Sequence, residues 1–342
     1  MASLRQKRTT VTWVALACSL VSAQTAWAAD KNAAQSNILE CFTGTEKLVK
    51  KERVINFPVS YSLGEILLSK EPTIIYDNCL KGAARGKVVV PTGRFTCFIP
   101  AHRFYLNPSI ANSIAPESID ILWLTASSLA DSEDGLWDRA LASIGHFKDL
   151  IDLNLDRSDA TDKGAAHAAD LPNLRKISAY LCMLDGSCLK SFAGLKHLHY
   201  LSLQGNHVLD TNMPYLGALN QLEMLNLSQT GISDKGGRDL EGCINLTSLN
   251  ISANPKVTDQ SIDTLAKFKN LKILWLKGTS ISAAGIMRLK HLPLSFLAMP
   301  GSTYPHSIMK QLHTLFPSAD IEVYKKVNSI DSDIHTLCAP LH

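Results

Sequence analysis

The chain has 342 residues, of which 46% are hydrophobic and 19% charged. That apolar share supplies a large core and excludes global disorder, and the length fits about two domains. The formal charge is +3, but the segment 1–28 carries Arg5, Lys7 and Arg8 and no acid, so the remainder is balanced at 31 bases and 31 acids. A global electrostatic case for nucleic acid or an anionic membrane falls with it.

Residues 1–28 read as a secretion signal. Arg5, Lys7 and Arg8 form a positive start, Val11 to Val21 is uncharged and apolar, and Ala26-Trp27-Ala28 is a small-x-small cleavage pattern. The expected mature chain starts at Ala29 and is periplasmic or extracellular. Ala15-Leu16-Ala17-Cys18 is a loose lipobox, which leaves a lipid-anchored form as the alternative. No later stretch reaches the length of a membrane span.

Residues 29–40 read as a flexible lead and 41–116 as an N-terminal cap with strand content. Within it, Lys87–Val90, the turn Pro91-Thr92-Gly93 and Arg94–Ile99 predict a hairpin. Residues 101–117 form an irregular half-repeat leading to Ile119.

From there the chain repeats. Units open at Ile119, Leu150, Leu174, Leu198, Leu222, Leu246, Leu271 and Leu294, and the even steps from Leu150 to Leu246 set the period. Each begins apolar-x-x-apolar-x-apolar, as in Leu222, Leu225 and Leu227, which predicts a short strand with positions 4 and 6 on one side. Position 9 holds small hydrogen-bonding residues such as Asn206, Thr230 and Asn254, suited to backbone groups freed where the chain leaves the strand. The second half of each unit predicts a helix. Capping residues stand at position 12 or 13 (Thr161-Asp162, Ser233-Asp234, Thr258-Asp259), followed by apolar residues at helical spacing such as Met213, Leu216 and Leu219. Pro305–Phe316 predicts a last helix, Ile321–Tyr324 a last strand, and residues 326–342 a tail.

Thr161-Asp162-Lys163-Gly164 and Thr230-Gly231-Ile232-Ser233-Asp234-Lys235-Gly236 carry a resemblance. Over roughly 117–325 the chain resembles bacterial leucine-rich repeat proteins with a Ser/Thr-Asp-x-Gly segment. The resemblance implies an α/β fold: a right-handed solenoid with a parallel sheet on its concave face and short helices on the convex one. It implies little about activity, since such a fold hosts many roles. Eight strands would span roughly 35–40 Å.

Positions 3, 5 and 7 should project from the concave face. They hold Trp123, Tyr180, Tyr200, Met224 and Trp275, with Asn226 and Asn250 between them. Large apolar side chains at positions of expected exposure suggest a recognition surface, with Trp275 and Tyr200 as its anchors. The competing reading is that the tryptophans cover the sheet near its ends. Asp152 and Asp156, with Lys176 and Lys277 further along, make the face mixed in charge, which argues against a polyanionic ligand.

Seven cysteines follow the signal. Cys182 and Cys243 occupy repeat core slots and read as buried thiols. Cys41, Cys79, Cys97, Cys188 and Cys338 remain. Cys41–Cys79 is the first disulfide candidate and Cys79–Cys97 the second, because connectivity does not follow from sequence. No nucleophile elbow, zinc-protease motif, phosphate-binding loop or dinucleotide fingerprint occurs. His197-Leu198-His199 has no identifiable carboxylate partner, and the acids Asp131 to Asp134 with Asp138 miss the calcium-loop spacing and suit a helix N-terminus. No metal or cofactor is expected. The sequons at Asn226, Asn245 and Asn250 read as products of the repeat pattern.

Three functions compete. The favoured one is a secreted module that binds a protein or peptide on the concave face. The second is an envelope structural or glycan-binding protein. The third, an enzyme with its site in the cap, is the least supported.

Overall fold

The computed structural model describes residues 50–72, 79–125, 135–301 and 303–323. The expected signal, lead and tail lie outside these residues, as do Cys41, Cys338 and the acids at 131–134.

The described residues form a two-stranded sheet and a twelve-stranded one. The small sheet pairs β1 (Arg53–Asn56) antiparallel with β4 (Lys87–Val90). The large sheet starts at β3 (Leu80–Ala83), then β2 (Gly64–Ser69) and β5 (Phe95–Pro100), joined antiparallel. From β5 onward every pairing is parallel and follows chain order. The strands are β6 (Ile121–Trp123), β7 (Asp152–Asn154), β8 (Lys176–Ser178), β9 (Tyr200–Ser202) and β10 (Met224–Asn226). Then come β11 (Ser248–Asn250), β12 (Ile273–Trp275), β13 (Phe296–Ala298) and β14 (Asp320–Glu322). Register follows the sequence period: Tyr200 lies opposite Met224 and Met224 opposite Ser248.

The hairpin expected between Lys87–Val90 and Arg94–Ile99 does not form. β4 pairs with β1, while β5 lies between β2 and β6. The Pro91-Thr92-Gly93 turn redirects the chain instead of folding it back, and Gly93 (φ 75°) donates its N–H to the Lys50 carbonyl at 2.9 Å. The cause is an earlier start to the periodicity. Cys97 stands opposite Ile121, one repeat period on, so β5 is already a rung and draws Phe98 into the core. The parallel sheet therefore begins one rung before Ile119.

Short helices return the chain on the other side: α1 (His102–Leu106), α2 (Leu136–Ser143), α3 (Asp162–Ala165), α4 (Met213–Gly217), α5 (Asp234–Asp239), α6 (Ile262–Leu265), α7 (Ala283–Met287) and α8 (His306–Leu315). Ser187–Gly194 is a 3₁₀ helix in the unit that carries Leu184-Asp185-Gly186-Ser187 at the start of its helical half. Between the helices and the sheet lies one continuous apolar core, filled by the repeat leucines. Each fully buried leucine contributes about 2 kcal/mol, and no rung could bury its set alone.

The Ser or Thr that opens a helical segment, as at Thr161, Ser233 and Ser282, joins its rung to an earlier one. The Asp138 carboxylate accepts from the Thr161 N–H (2.9 Å) and hydroxyl (2.6 Å) of the next unit. Asp210 does the same for Ser233 (3.1 and 2.5 Å) and Asp259 for Ser282 (2.8 and 2.6 Å). The glycine closing the segment makes room: a Cβ at Gly164, Gly236 or Gly285 would collide with Asp138, Asp210 or Asp259 respectively. Where the glycine is replaced by Ser261, its hydroxyl donates to Asp234 at 2.6 Å.

Position 9 closes the inner turn as expected. Asn206 Oδ1 accepts from the Cys182 and Leu184 N–H groups, and its Nδ2 donates to the Ala179 and Leu203 carbonyls. Asn254 repeats the pattern around Thr230 and Gly231. One residue earlier the backbone is left-handed, at Arg157, Leu181, Gln229 and Ala253 as well as Gly205 and Gly278.

At the N-terminal end a buried carboxylate clamps the cap to the first rungs. Asp120 pairs with Arg53 and, at 3.3 Å, with Lys50, and accepts from the Thr96 N–H at 2.8 Å. Lys50 also reaches Asp149 at 2.5 Å.

Candidate functional site

The sheet face opposite the core is the candidate surface. Strands stand about 4.8 Å apart, so side chains at equal register lie shoulder to shoulder. That crowding corrects the expected exposure. Tyr200 is only 5% exposed and Met224 7%, and Asn226 and Asn250 are also buried. The Lys176 ammonium lies 5.7 Å from the Tyr200 ring centroid, within cation–π range, and pairs with the buried Asp152 at 2.8 Å.

The asparagines serve the backbone. Asn154, Asn226 and Asn250 each accept through Oδ1 from the N–H two residues on, at Asp156 (2.8 Å), Ser228 (3.0 Å) and Ser252 (3.0 Å). Asn226 Nδ2 donates to Gln204 on the preceding rung at 3.0 Å. Strand exit thus accounts for asparagine at position 5, and Asn226 is not offered to a ligand. Its burial and that of Asn250 also make their sequons poor acceptors.

Of the two expected anchors, Trp275 stays half-buried while Tyr200 does not, and the face residues Trp123 and Tyr180 are half-buried as well. Trp275 packs against Phe296 of the next rung with ring centroids 5.5 Å apart. Tyr180 carries the Arg157 guanidinium 5.7 Å from its ring. The face therefore has half-buried aromatics on its outer rungs around a packed middle, and of the two anchor residues Trp275 is accessible in part while Tyr200 is covered.

Sequence reasoning missed the strand-exit edge. Leu181 and Met183 both have positive φ, and Met183 is 72% exposed. The signal was a methionine at a turn position where another repeat has Gly231. It also missed the partner of His199, whose Nδ1 lies 3.3 Å from Glu223 one rung on. Burial lowers the His199 pKa and Glu223 opposes it. Among the described residues no cluster of three metal-ligating side chains forms.

The cysteine expectations divide. Cys182 and Cys243 are buried thiols, pushed up to about 11 and about 12, chiefly by burial. Cys188 is buried too, and its N–H donates to Asp162 at 3.0 Å. Cys79 and Cys97 are not bridged to each other, although Cys79 packs against the small cluster of Leu67, Cys97 and Ile121. Burial raises the Cys97 pKa well above its ordinary value.

A leucine-lined rung of one short strand and one short helix, repeated in parallel register, defines a leucine-rich repeat solenoid. No family model matches the chain. It is 31% identical over 104 residues to leucine-rich repeat-containing protein 42 of Homo sapiens, covering 27% of this chain and 24% of that protein. The chain thus matches about a quarter of that relative's length. Among solved structures it is similar to internalin C2 of Listeria monocytogenes, at 21% identity over 52% of this chain and 70% of that one, TM-score 0.41. It is also similar to the internalin inlF of the same organism, at 15% identity over 60% and 69%, TM-score 0.41. No helix among the described residues is long and apolar enough to cross a membrane.

Proposed function

We propose that this chain is an exported binding module of the bacterial leucine-rich repeat type, without catalytic activity of its own, that takes a protein or peptide partner on its outer sheet face. The observation that carries the reading is the half-buried set Trp123, Tyr180, Trp275 and Phe296 on a face where Tyr200 and Met224 are packed away. Rigid aromatics held by a regular scaffold are favourable anchors, since little side-chain entropy is lost on binding. Export rests on the signal-like segment 1–28, with a lipid anchor at Cys18 as its variant.

The test is affinity capture from envelope and extracellular extracts on the immobilised full chain, beside a Trp275→Ala/Tyr180→Ala double variant with unchanged circular dichroism. One stoichiometric protein held by the wild type and lost by the variant is the expected result. Equal retention by both overturns the aromatic face. Retention on polysaccharide with elution by free sugar moves the assignment to a glycan.

A further inference from the structure

The edge where the chain leaves the sheet carries an apolar knob on the rung of β8. Tyr180, Leu181 and Met183 follow closely on Ser178, where that strand ends. Tyr180 and Leu181 are half-buried, and Met183 is 72% exposed. Gly205 on the next rung leaves room for the first two. A Cβ there would stand 2.6 Å from Leu181 Cδ2 and 3.5 Å from Tyr180 Cε2. Leu209, 40% exposed, donates its N–H to the Asp185 carbonyl at 2.9 Å and carries the apolar surface one rung further.

The backbone of this knob is left-handed at both Leu181 (φ 55°) and Met183 (φ 60°). Two periods beyond Met183 the same conformation falls on Gly231 (φ 79°), which adopts it without strain. Asn206 holds the turn. Its Oδ1 accepts from the N–H of Cys182 at 2.9 Å and of Leu184 at 3.0 Å, on either side of Met183. Met183 is thus fixed at the apex by bonds that do not involve its side chain. Its exposure and its conformation both work against the fold, and an outlier of that kind points to a role outside it.

Charge indicates what fits there. Asp156, Asp159, Asp162 and Asp185 stand on this side of the two rungs, against Arg157 and Lys163. Asp159 lies one period before Met183, beside it, as the 3.7 Å approach of Ser158 Oγ to Cys182 Sγ shows, and it is exposed. Arg157 is engaged by the Tyr180 ring, 5.7 Å from its centroid. From this we infer, building on the protein-binding reading above, that the partner's contact runs from the sheet face over this edge, and that the partner presents an aliphatic or aromatic side chain flanked by Lys or Arg. That side chain packs on Leu181 and Met183, and the flanking bases meet Asp159 and Asp185. Methionine suits such a contact, because its unbranched chain and polarisable sulfur adapt to what is laid against them. The surrounding acids repel a nucleic acid or an anionic lipid surface.

The test is panning of a random dodecapeptide library on the immobilised full chain, followed by fluorescence anisotropy of a recovered peptide. Recovered sequences are expected to place Lys or Arg beside Leu, Met, Phe or Trp. Met183→Gly should weaken binding about tenfold or more while the melting temperature holds or rises, since glycine relieves the left-handed backbone. A merely structural Met183 gives the reverse, a lower melting temperature with binding unchanged. Asp159→Lys should also weaken binding, by a factor that shrinks between about 50 mM and about 300 mM NaCl. Peptides without flanking bases, or peptides indifferent to Met183→Gly, overturn the inference. Peptides that need Trp275 but not Met183 leave the sheet-face reading intact and remove only the edge. No recovered peptide removes both. Self-association of the wild type that Met183→Gly abolishes assigns the knob to a second copy and likewise overturns the inference.

Discussion

The Asp234 carboxylate on one rung accepts the Thr258 N–H at 2.8 Å and the Thr258 hydroxyl at 2.7 Å on the next. Thr258 in turn caps its own 3₁₀ turn, its hydroxyl accepting from the Gln260 N–H at 3.2 Å. One carboxylate thus orients the residue that starts the following helical turn. Asp234→Ala should cost about 2–3 kcal/mol, since it removes several charge-assisted hydrogen bonds and strands partly buried donors. Chemical denaturation reads this directly.

The same aspartate sets a pH dependence. Burial works against its charge, but hydrogen bonds from Ser261 and Thr258 outweigh it and hold its pKa below the ordinary carboxylate value. A depressed folded pKa contributes stability that is present above the unfolded value, about 3.9, and lost as pH falls through the folded one. Melting temperature should therefore drop more steeply below about pH 4 in the wild type than in Asp234→Asn.

Gly236→Ala should destabilise by about 2 kcal/mol despite the better helix propensity, because the added methyl meets the Asp210 carboxylate and the Met213 side chain. Gly194→Ala, with nothing within 4 Å of the new Cβ, should be close to neutral. Equal effects at the two sites would remove the steric account of Gly236.

Gln229→Gly should raise stability by about 1 kcal/mol, because Gln229 has φ 57° and carries a left-handed strain that Gly205 and Gly278 avoid at the same repeat position. A loss of stability would show that its side-chain packing matters more than its backbone.

In the native wild type, iodoacetamide at pH 8 should spare Cys97, Cys182 and Cys243 and reach them only after denaturation, since burial keeps all three protonated. Mass spectrometry of the alkylated peptides reads the difference. Labelling of any of the three before unfolding would show that its rung opens on its own.

The spacing of repeats was legible, and it set strand register: leucines one period apart face one another, as Leu201 faces Leu225. The helix at His306–Leu315 and the buried slots of Cys182 and Cys243 were legible for the same reason, a fixed period acting on apolar residues. The partner of β4 was not, because Pro-x-Gly between two strand-like runs has the local signature of a hairpin while the outcome rested on the non-local fit of β5 beside β6. Nor was the burial of Tyr200 and Met224. Alternation along one strand says which face a side chain takes, but its cover comes from neighbouring rungs. The Ser/Thr-Asp-x-Gly segments were visible as caps, yet the crossing of Asp210 to Ser233 joins separate repeats, and a local pattern does not display it.

That crossing bears on how such a chain can lengthen. Within one short segment, Ser233-Asp234-Lys235-Gly236 carries both a socket for the preceding aspartate and a plug for the following threonine. The full period around this segment, copied or deleted whole, takes one plug and one socket with it. Every remaining joint still finds its mate, so the number of rungs can change by duplication without any joint having to be reinvented.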